Sequence, residues 1–402
     1  MEAHTRDLAA ELAGTGVTVN VYRPGIVDTV MAAWVRAQNS DWIGVRAART
    51  VVTNSSGARS PQSRPRCFPS GSPARRADRP GMERLGSPPL TPVMPADPSL
   101  PRSGFHPGEL AMQRRAGAKA EAYRLRRMVE PAELDRGAAG FLSRQTFAAL
   151  TGRDTSDRLW ISPLIGPPGF LYVPTPDVLG IAATIAPGLP LETMPAGQPV
   201  GVVVVDFPAR RRLRINGTLS SINDGHLLVA VEQAYGNCPQ YIQARALSPR
   251  RSSTTASHAY RGSSLRPEEL QLVRSADTFF LGTTHPECGA DASHRGGAPG
   301  FVRAEPTSLW WPDYPGNNMF NSFGNVAVNP EAALLFFDFD RGRTLQLSGI
   351  AQIDWGPPDR AGDDGHTGRI ARYSIDRVVA GDFLDLLASD LRPYPRNPGP
   401  AP

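Results

Sequence analysis

The sequence predicts a mainly β chain with flanking helices: two tandem copies of one small antiparallel barrel, preceded by a disordered linker and an α/β fragment. Three observations carry that prediction. From residue 140 onward, short β-rich runs alternate with turn residues over two stretches, 140–245 and 270–380. The two stretches match each other at a nearly constant spacing of about 131–132 residues. Residues 44–104 have no apolar period and are rich in Pro, Ser, Arg and Gly.

The totals agree with this organisation. A chain of 402 residues has room for two or three domains. Its hydrophobic share of 40% supports a globular core, and a mean hydropathy of -0.29 suits a soluble protein. The longest apolar run, around Val200 to Phe207, is strand-sized, so no membrane span is expected. Cys67, Cys238 and Cys288 are too few and too scattered for a disulfide framework, which points to a reducing cytoplasm. A net charge of +5 and a pI near 9.4 would suit nucleic acid. The charge is misplaced for that role: residues 44–104 hold ten Arg against three acids, more than the whole surplus. No nucleic-acid partner is expected.

In chain order, residues 1–43 read as one helix and one strand. Leu8 and Leu12 give the helix an apolar face, Gly14 and Gly16 stop it, and Val17 to Tyr22 is β-rich. The opening MEAHTRDLAAELAG is a mixed-charge helix rather than a signal peptide. Residues 44–104 cannot offset the entropy of ordering and are expected to be disordered. Residues 107–129 read as a single basic amphipathic helix with Pro107 near its start, a lid on the domain that follows.

The first copy, 105–250, then supplies strands near 146–151, 159–164, 169–173, 179–185, 200–207, 211–222 and 227–234, with a hairpin turn at Asn223-Asp224-Gly225. After a linker at 251–267, the second copy, 268–385, supplies strands near 278–284, 300–305, 309–312, 333–339, 344–355 and 369–379. Residues 386–402 read as a Pro-rich tail.

The internal match is specific. Ser162-Pro-Leu-Ile-Gly-Pro-Pro-Gly-Phe170 falls without gaps on Ser293-His-Arg-Gly-Gly-Ala-Pro-Gly-Phe301. Asp206-Phe207 falls on Asp338-Phe339, Gly217 on Gly349, and Thr146-Phe147 on Thr278-Phe279. The copies differ where a ligand would sit. Leu164 stands where the second copy has Arg295, and the Asn317, Asn318, Asn321, Ser322 and Asn325 cluster has no counterpart. Two copies packed together would imitate the homodimer of a single-copy barrel.

Residues 291–325 therefore form the candidate site. Arg295 offers a fixed fork of donors for phosphate, and Gly296 and its neighbours let backbone N–H groups approach the same anion. Asn side chains both donate and accept, as the edge of a heterocycle requires, and Trp311 and Phe320 offer apolar faces for a flat ring. The run Arg210-Arg211-Arg212-Leu213-Arg214 reads first as a strand leaving a turn. A sharper reading turns Arg212 or Arg214 to the phosphate from the other barrel. His285, Cys288, Asp291 and His294 do not form a recognised ligand set, so no metal is expected. Cys238 reads as a structural thiol.

Two resemblances follow from these residues. The stretch AELAGTGVTVNVYRPGIVDT resembles the late part of a short-chain dehydrogenase/reductase, without that family's Tyr-x-x-x-Lys pair. Residues 105–380 resemble the pyridoxamine 5'-phosphate oxidase-like family of FMN-binding split barrels. The motifs are RRRLRINGTL, YGNCPQYIQAR, SHRGGAPGFV, PDYPGNNMFNSFGN and TLQLSG.

The second resemblance implies FMN between two barrels. Carried onto this sequence, it implies phosphate contacts from Ser293, Arg295 and Gly296. It also implies phosphate, ribityl or ring-edge contacts from Asn318, Asn321 and Ser322, and a flavin-facing position for Gln346. The implied activity is flavin-mediated hydride or electron transfer with a small redox substrate, NAD(P)H among the candidates. The implied assembly is a monomer with an internal pseudo-dimer, or a homodimer. The tail DLRPYPRNPGPAP does not supply the basic residues that the family's pyridoxal-phosphate-making members use. A non-enzymatic flavin or haem binder, and a remnant dehydrogenase fusion without intact activity, are the alternatives.

Overall fold

The protein is described from a computed structural model at residues 104–129, 133–223, 225–249, 259–383 and 386–399. The expected α/β fragment and nearly all of the expected linker lie outside these residues. The described chain is mainly β, in several antiparallel sheets.

Helix α1 (Pro107–Arg115) starts with His106 as its N-cap, and the Glu109 carboxylate accepts from the His106 backbone N–H at 2.8 Å. The single helix expected over 107–129 is not formed. The chain leaves the helix at Ala116, Gly117 takes φ +67°, and α2 (Lys119–Arg124) and a 3-10 turn (Arg126–Val129) follow as separate elements. Helix α3 (Arg136–Leu142), capped by Asp135, precedes the first sheet.

That sheet contains β1 (Phe147–Arg153), β2 (Leu159–Ile165), β3 (Leu171–Thr175), β4 (Val178–Ala182), β5 (Pro199–Asp206), β6 (Arg211–Asn223) and β7 (His226–Gly236). Their order across the sheet is β2-β1-β5-β6-β7-β4-β3. Next come β8 (Ala244–Pro249), β9 (Tyr260–Gly262) and α4 (Pro267–Ser275).

The second sheet is built from β10 (Thr278–His285), β11 (Gly289–Gly296), β12 (Arg303–Glu305) and β13 (Ser308–Pro312). Helix α5 (Asn321–Val328) interrupts the series before β14 (Glu331–Asp338), β15 (Arg343–Trp355) and β16 (Arg369–Gly381). The order is β11-β10-β14-β15-β16-β13-β12, with β9 added beside β16. Position by position, this is the order of the first sheet.

Strand registers refine the internal match. Phe147 pairs with Ile165 as Thr278 pairs with Gly296, so Thr146-Phe147 falls on Asp277-Thr278 rather than on Thr278-Phe279. A slip of one residue reverses the face of a strand. Accordingly, Phe147 packs in a cluster drawn from both sheets, with Phe207, Phe280 and Phe337, whereas Phe279 lies in the second sheet's own core with Leu281, Trp311 and Phe336. The Gly217 and Gly349 match stands on geometry: each sits at a bulge in the long hairpin of its sheet. A Cβ at either would lie 2.0 Å from the opposing carbonyl oxygen, of Ala230 or of Ser374.

The segment 386–402, read as a Pro-rich tail, contains β17 (Leu386–Arg392), which pairs with β8. Nor does α1 belong to the first sheet alone. Gly108 and Gly324 let α1 and α5 cross closely, because a Cβ on Gly108 would stand 2.3 Å from the Gly324 carbonyl oxygen. The Gln113 side chain donates to the Met319 carbonyl at 3.0 Å. On the other side, Gln233 of β7 donates to the Val129 carbonyl at 2.9 Å. The segment 105–129 thus joins the first sheet to the second.

Candidate functional site

A cleft lies where β6 of the first sheet meets β11 and the 311–323 segment of the second. Strand periodicity puts Arg212 and Arg214 on the same face of β6, and both reach it. His294, Arg295 and Gly296 enter from the end of β11, Trp311 to Tyr314 from the end of β13, and Asn321 to Phe323 from the first turn of α5. The first-sheet loop after β7 supplies Asn237, Cys238, Gln240 and Tyr241, and Arg369 enters at the start of β16.

Four guanidinium groups meet two carboxylates here. Arg214 is paired with buried Asp291 at 3.2 Å. Arg369 Nε lies 2.7 Å from Asp313, and Arg295 lies 3.6 Å from the same carboxylate. Arg212 takes part in none of the ion pairs among the described residues. Its Nη1 lies 3.1 Å from His294 Nδ1 and donates to the His294 carbonyl at 3.3 Å. A guanidinium only donates, so Nδ1 is the acceptor and the imidazole proton sits on Nε2. Burial, followed by the charges of Arg212, Arg245 and Arg295, holds the His294 pKa well below its ordinary value, so the ring is neutral. Burial and then Arg214 also pull Arg212 down, to about 9, which leaves it charged at neutral pH.

The cleft therefore carries more positive charge than its carboxylates balance. It also carries idle donors: Arg212 Nε, Arg214 Nε, Arg295 Nε, His294 Nε2 and Trp311 Nε1 are buried without a partner among the described residues. Buried polar groups are ordinarily satisfied, so orphaned donors beside surplus cations leave this cleft able to take up an anion. An aromatic wall adjoins it. Tyr241 and Tyr314 rings lie 4.9 Å apart, and Phe301 stacks at 6.2 Å on Tyr314. Tyr241, Asn318 and Phe320 all take φ near +60°, at 64°, 59° and 61°. Asn tolerates that region, but Tyr and Phe are held there at a cost of order ~1 kcal/mol or more each.

Of the residues expected from sequence, Arg295, Gly296, Asn318, Asn321 and Ser322 line this cleft, and Trp311 and Phe320 line it too. Ser293 is fully buried one layer behind: its hydroxyl lies 3.1 Å from Ser322 Oγ, and Ser322 donates to Asp291 at 2.8 Å. Gln346 is not brought here. It is fully buried on β15 and accepts from the Ser162 hydroxyl at 2.8 Å, away from the cleft lining.

The Ser293-His294-Arg295-Gly296 segment is the end of β11. Sequence reasoning missed this strand because GADASHRG has no β-branched and no large apolar residue. It also missed Arg369, Tyr314 and the Asn237–Tyr241 loop as cleft residues. The αL positions give no signal in one sequence when Tyr and Phe occupy them.

No family model matches the chain, and no curated protein matches it. Solved structures do. The chain is similar to HupZ of Group A Streptococcus (11% identity, TM-score 0.24, covering 29% of this chain and 98% of that one). It is similar to a FAD-binding protein of Mesorhizobium loti (12% identity, TM-score 0.22, 34% and 100%). It is also similar to a protein related to general stress protein 26, of the pyridoxinephosphate oxidase family, from Clostridium acetobutylicum (13% identity, TM-score 0.22, 31% and 92%). No described helix is long and apolar enough to cross a membrane.

Proposed function

We propose that the chain is a tandem of two FMN-binding split barrels that holds one FMN in this cleft and works as a flavin-dependent oxidoreductase. The observation that carries the reading is Arg212: a half-buried guanidinium with no carboxylate, facing a cleft that already holds Arg214, Arg295 and Arg369. A phosphate monoester brings close to two negative charges and several acceptors, which matches the charge surplus and the idle donors.

Arg212 and Arg295 would hold the phosphate, with Gly296 permitting close backbone approach. Asn318, Asn321 and Ser322 would meet the polyol or ring edge, and Trp311, Tyr314 and Phe320 the flat ring. Bound FMN would supply hydride or electron transfer between a small donor, such as NAD(P)H, and an acceptor. The chain's own part is to bind, orient and exclude water. Asp291 and Asp313 are both engaged by arginines, so neither is free to act as a general base.

The test is a titration of the purified full-length chain with FMN and with riboflavin, followed by absorbance and fluorescence. FMN is expected to bind well over tenfold more tightly, since riboflavin lacks the phosphate. Equal affinity, or no uptake of FMN, overturns the reading. Oxidation of NADH or NADPH by the loaded protein then separates an enzyme from a flavin carrier.

A further inference from the structure

Behind the cleft, α1 presents a carboxyl group to one of the cleft residues. Glu109 is 4% exposed. Its Oε2 accepts from the His106 backbone N–H at 2.8 Å, and its Oε1 lies 2.5 Å from Asn321 Nδ2. Asn321 lines the cleft, so with Nδ2 engaged by Glu109, the amide oxygen is the end left for a ligand. The helix crossing at Gly108 and Gly324 fixes the separation of the two side chains, because neither helix can move closer or carry a side chain there.

We infer that Glu109 is a positioning residue whose proton decides which end of the Asn321 amide faces the ligand. An ionised Glu109 can only accept, which holds the Asn321 NH2 inward and leaves its carbonyl in the cleft. A protonated Glu109 donates to the Asn321 carbonyl instead. The amide turns over and offers its NH2 to the ligand. The protonated state therefore suits a ligand rich in acceptors, as a phosphorylated heterocycle is, and the ionised state does not.

The surroundings place this switch in a usable range. Burial raises the Glu109 pKa to about 8, opposed by the His106 and Asn321 hydrogen bonds, raised further by Asp291 and lowered by Arg214. His106, whose ring lies tilted 4.5 Å from that of His285, does not titrate there, because burial and then His285 hold it down to about 3. Burial lowers His285 as well and raises Tyr235, which also faces Glu109, so both move away from this range. An anionic ligand in the cleft favours the protonated acid, so binding should draw in a proton, and by linkage affinity should fall as pH rises through the Glu109 pKa.

This inference rests on the FMN reading, and the experiment separates the two. FMN dissociation constants for the full chain are measured from pH 6.5 to 9.5, with calorimetry in buffers of different ionisation heat to count protons. The parent is expected to bind about fivefold to tenfold more weakly at pH 9.5 than at 6.5 and to take up a fraction of a proton near pH 8. Glu109→Gln, which always offers an NH2 donor and cannot titrate, should lose the fall and the proton uptake near pH 8 and keep only the fall above about pH 9 that Arg212 contributes. FMN bound with the same pH profile in parent and variant overturns the inference but leaves the FMN reading intact. No FMN uptake at any pH overturns the FMN reading. Infrared spectra of the unliganded parent still test the switch, whether or not the variant folds. A protonated-carboxyl C=O band that disappears between pH 7 and 9 supports it, and no such change overturns it.

Discussion

The Ser162 hydroxyl donates to the Gln346 side-chain oxygen at 2.8 Å, joining the first sheet to the second. By strand register, Ser162 occupies the place of Ser293, Gln346 that of Arg214, Thr344 that of Arg212, and Leu164 that of Arg295. All four residues of the mate position are buried, and none is charged. Three of the four guanidinium groups around the cleft, those of Arg212, Arg214 and Arg295, thus have uncharged counterparts there.

One ligand per chain is the expected stoichiometry, measured by calorimetry or by flavin absorbance per mole of protein. Gln346→Leu is expected to leave FMN affinity within about twofold of the parent. A loss of more than tenfold would return Gln346 to the ligand site.

Arg212→Ala is expected to cost about 1.5–3 kcal/mol of FMN binding, the range for a hydrogen bond to a charged group, and to leave riboflavin binding nearly unchanged. Arg295→Ala should cost less, because Arg295 already shares Asp313 and packs over the Phe323 ring at 4.7 Å. Titrations of both variants with both flavins check the order.

Gly108→Val should destabilise the fold by several kcal/mol, since even a Cβ there would meet a backbone oxygen. Gly117→Ala nearby is expected to cost only about 1 kcal/mol, because nothing stands within 4 Å of its Cβ and only its positive φ resists. Urea unfolding of the two variants gives the contrast.

Stability should also depend on pH through two buried groups of opposite sign. Glu109 ionises near 4.5 when unfolded and near 8 when folded, so its contribution is whole below 4.5 and is lost as pH rises towards 8. His106 is depressed from 6.5 to about 3, so its contribution is whole above 6.5 and is lost as pH falls towards 3. Without added flavin, Glu109→Gln is expected to gain on the parent as pH rises from 5 to 8.5, read from unfolding midpoints.

The sequence was most informative where burial imposes a period. The long strands β6, β15 and β16 show β-branched and alternating residues, and each lies within a few residues of its expected range. It was least informative where tertiary contact overrides local pattern. The Asn/Ser-rich run became α5 because its polar residues found partners across the fold: Asn321 at Glu109, Ser322 at Asp291 and Asn325 at Thr283. Strand β17 carries little β signal and is held by pairing with β8. In the site, Arg295 stood out beside glycines, and Arg212 and Arg214 stood out by charge. Glu109 could not, since an acid near a helix start reads first as a cap, and here it is one as well.

The docking of α1 has a bearing on synthesis. Gln113 meets Met319 across 206 residues of sequence, and Glu109 meets Asn321 across 212. On a ribosome, α1 emerges long before α5 exists, so while the first sheet is being made its leading helix has only half of its seat. Until α5 is made, the Gly108 face and the buried acid stay wet. Closure of the cleft is therefore among the final events of folding, and a chain stopped short of residue 321 would leave α1 undocked.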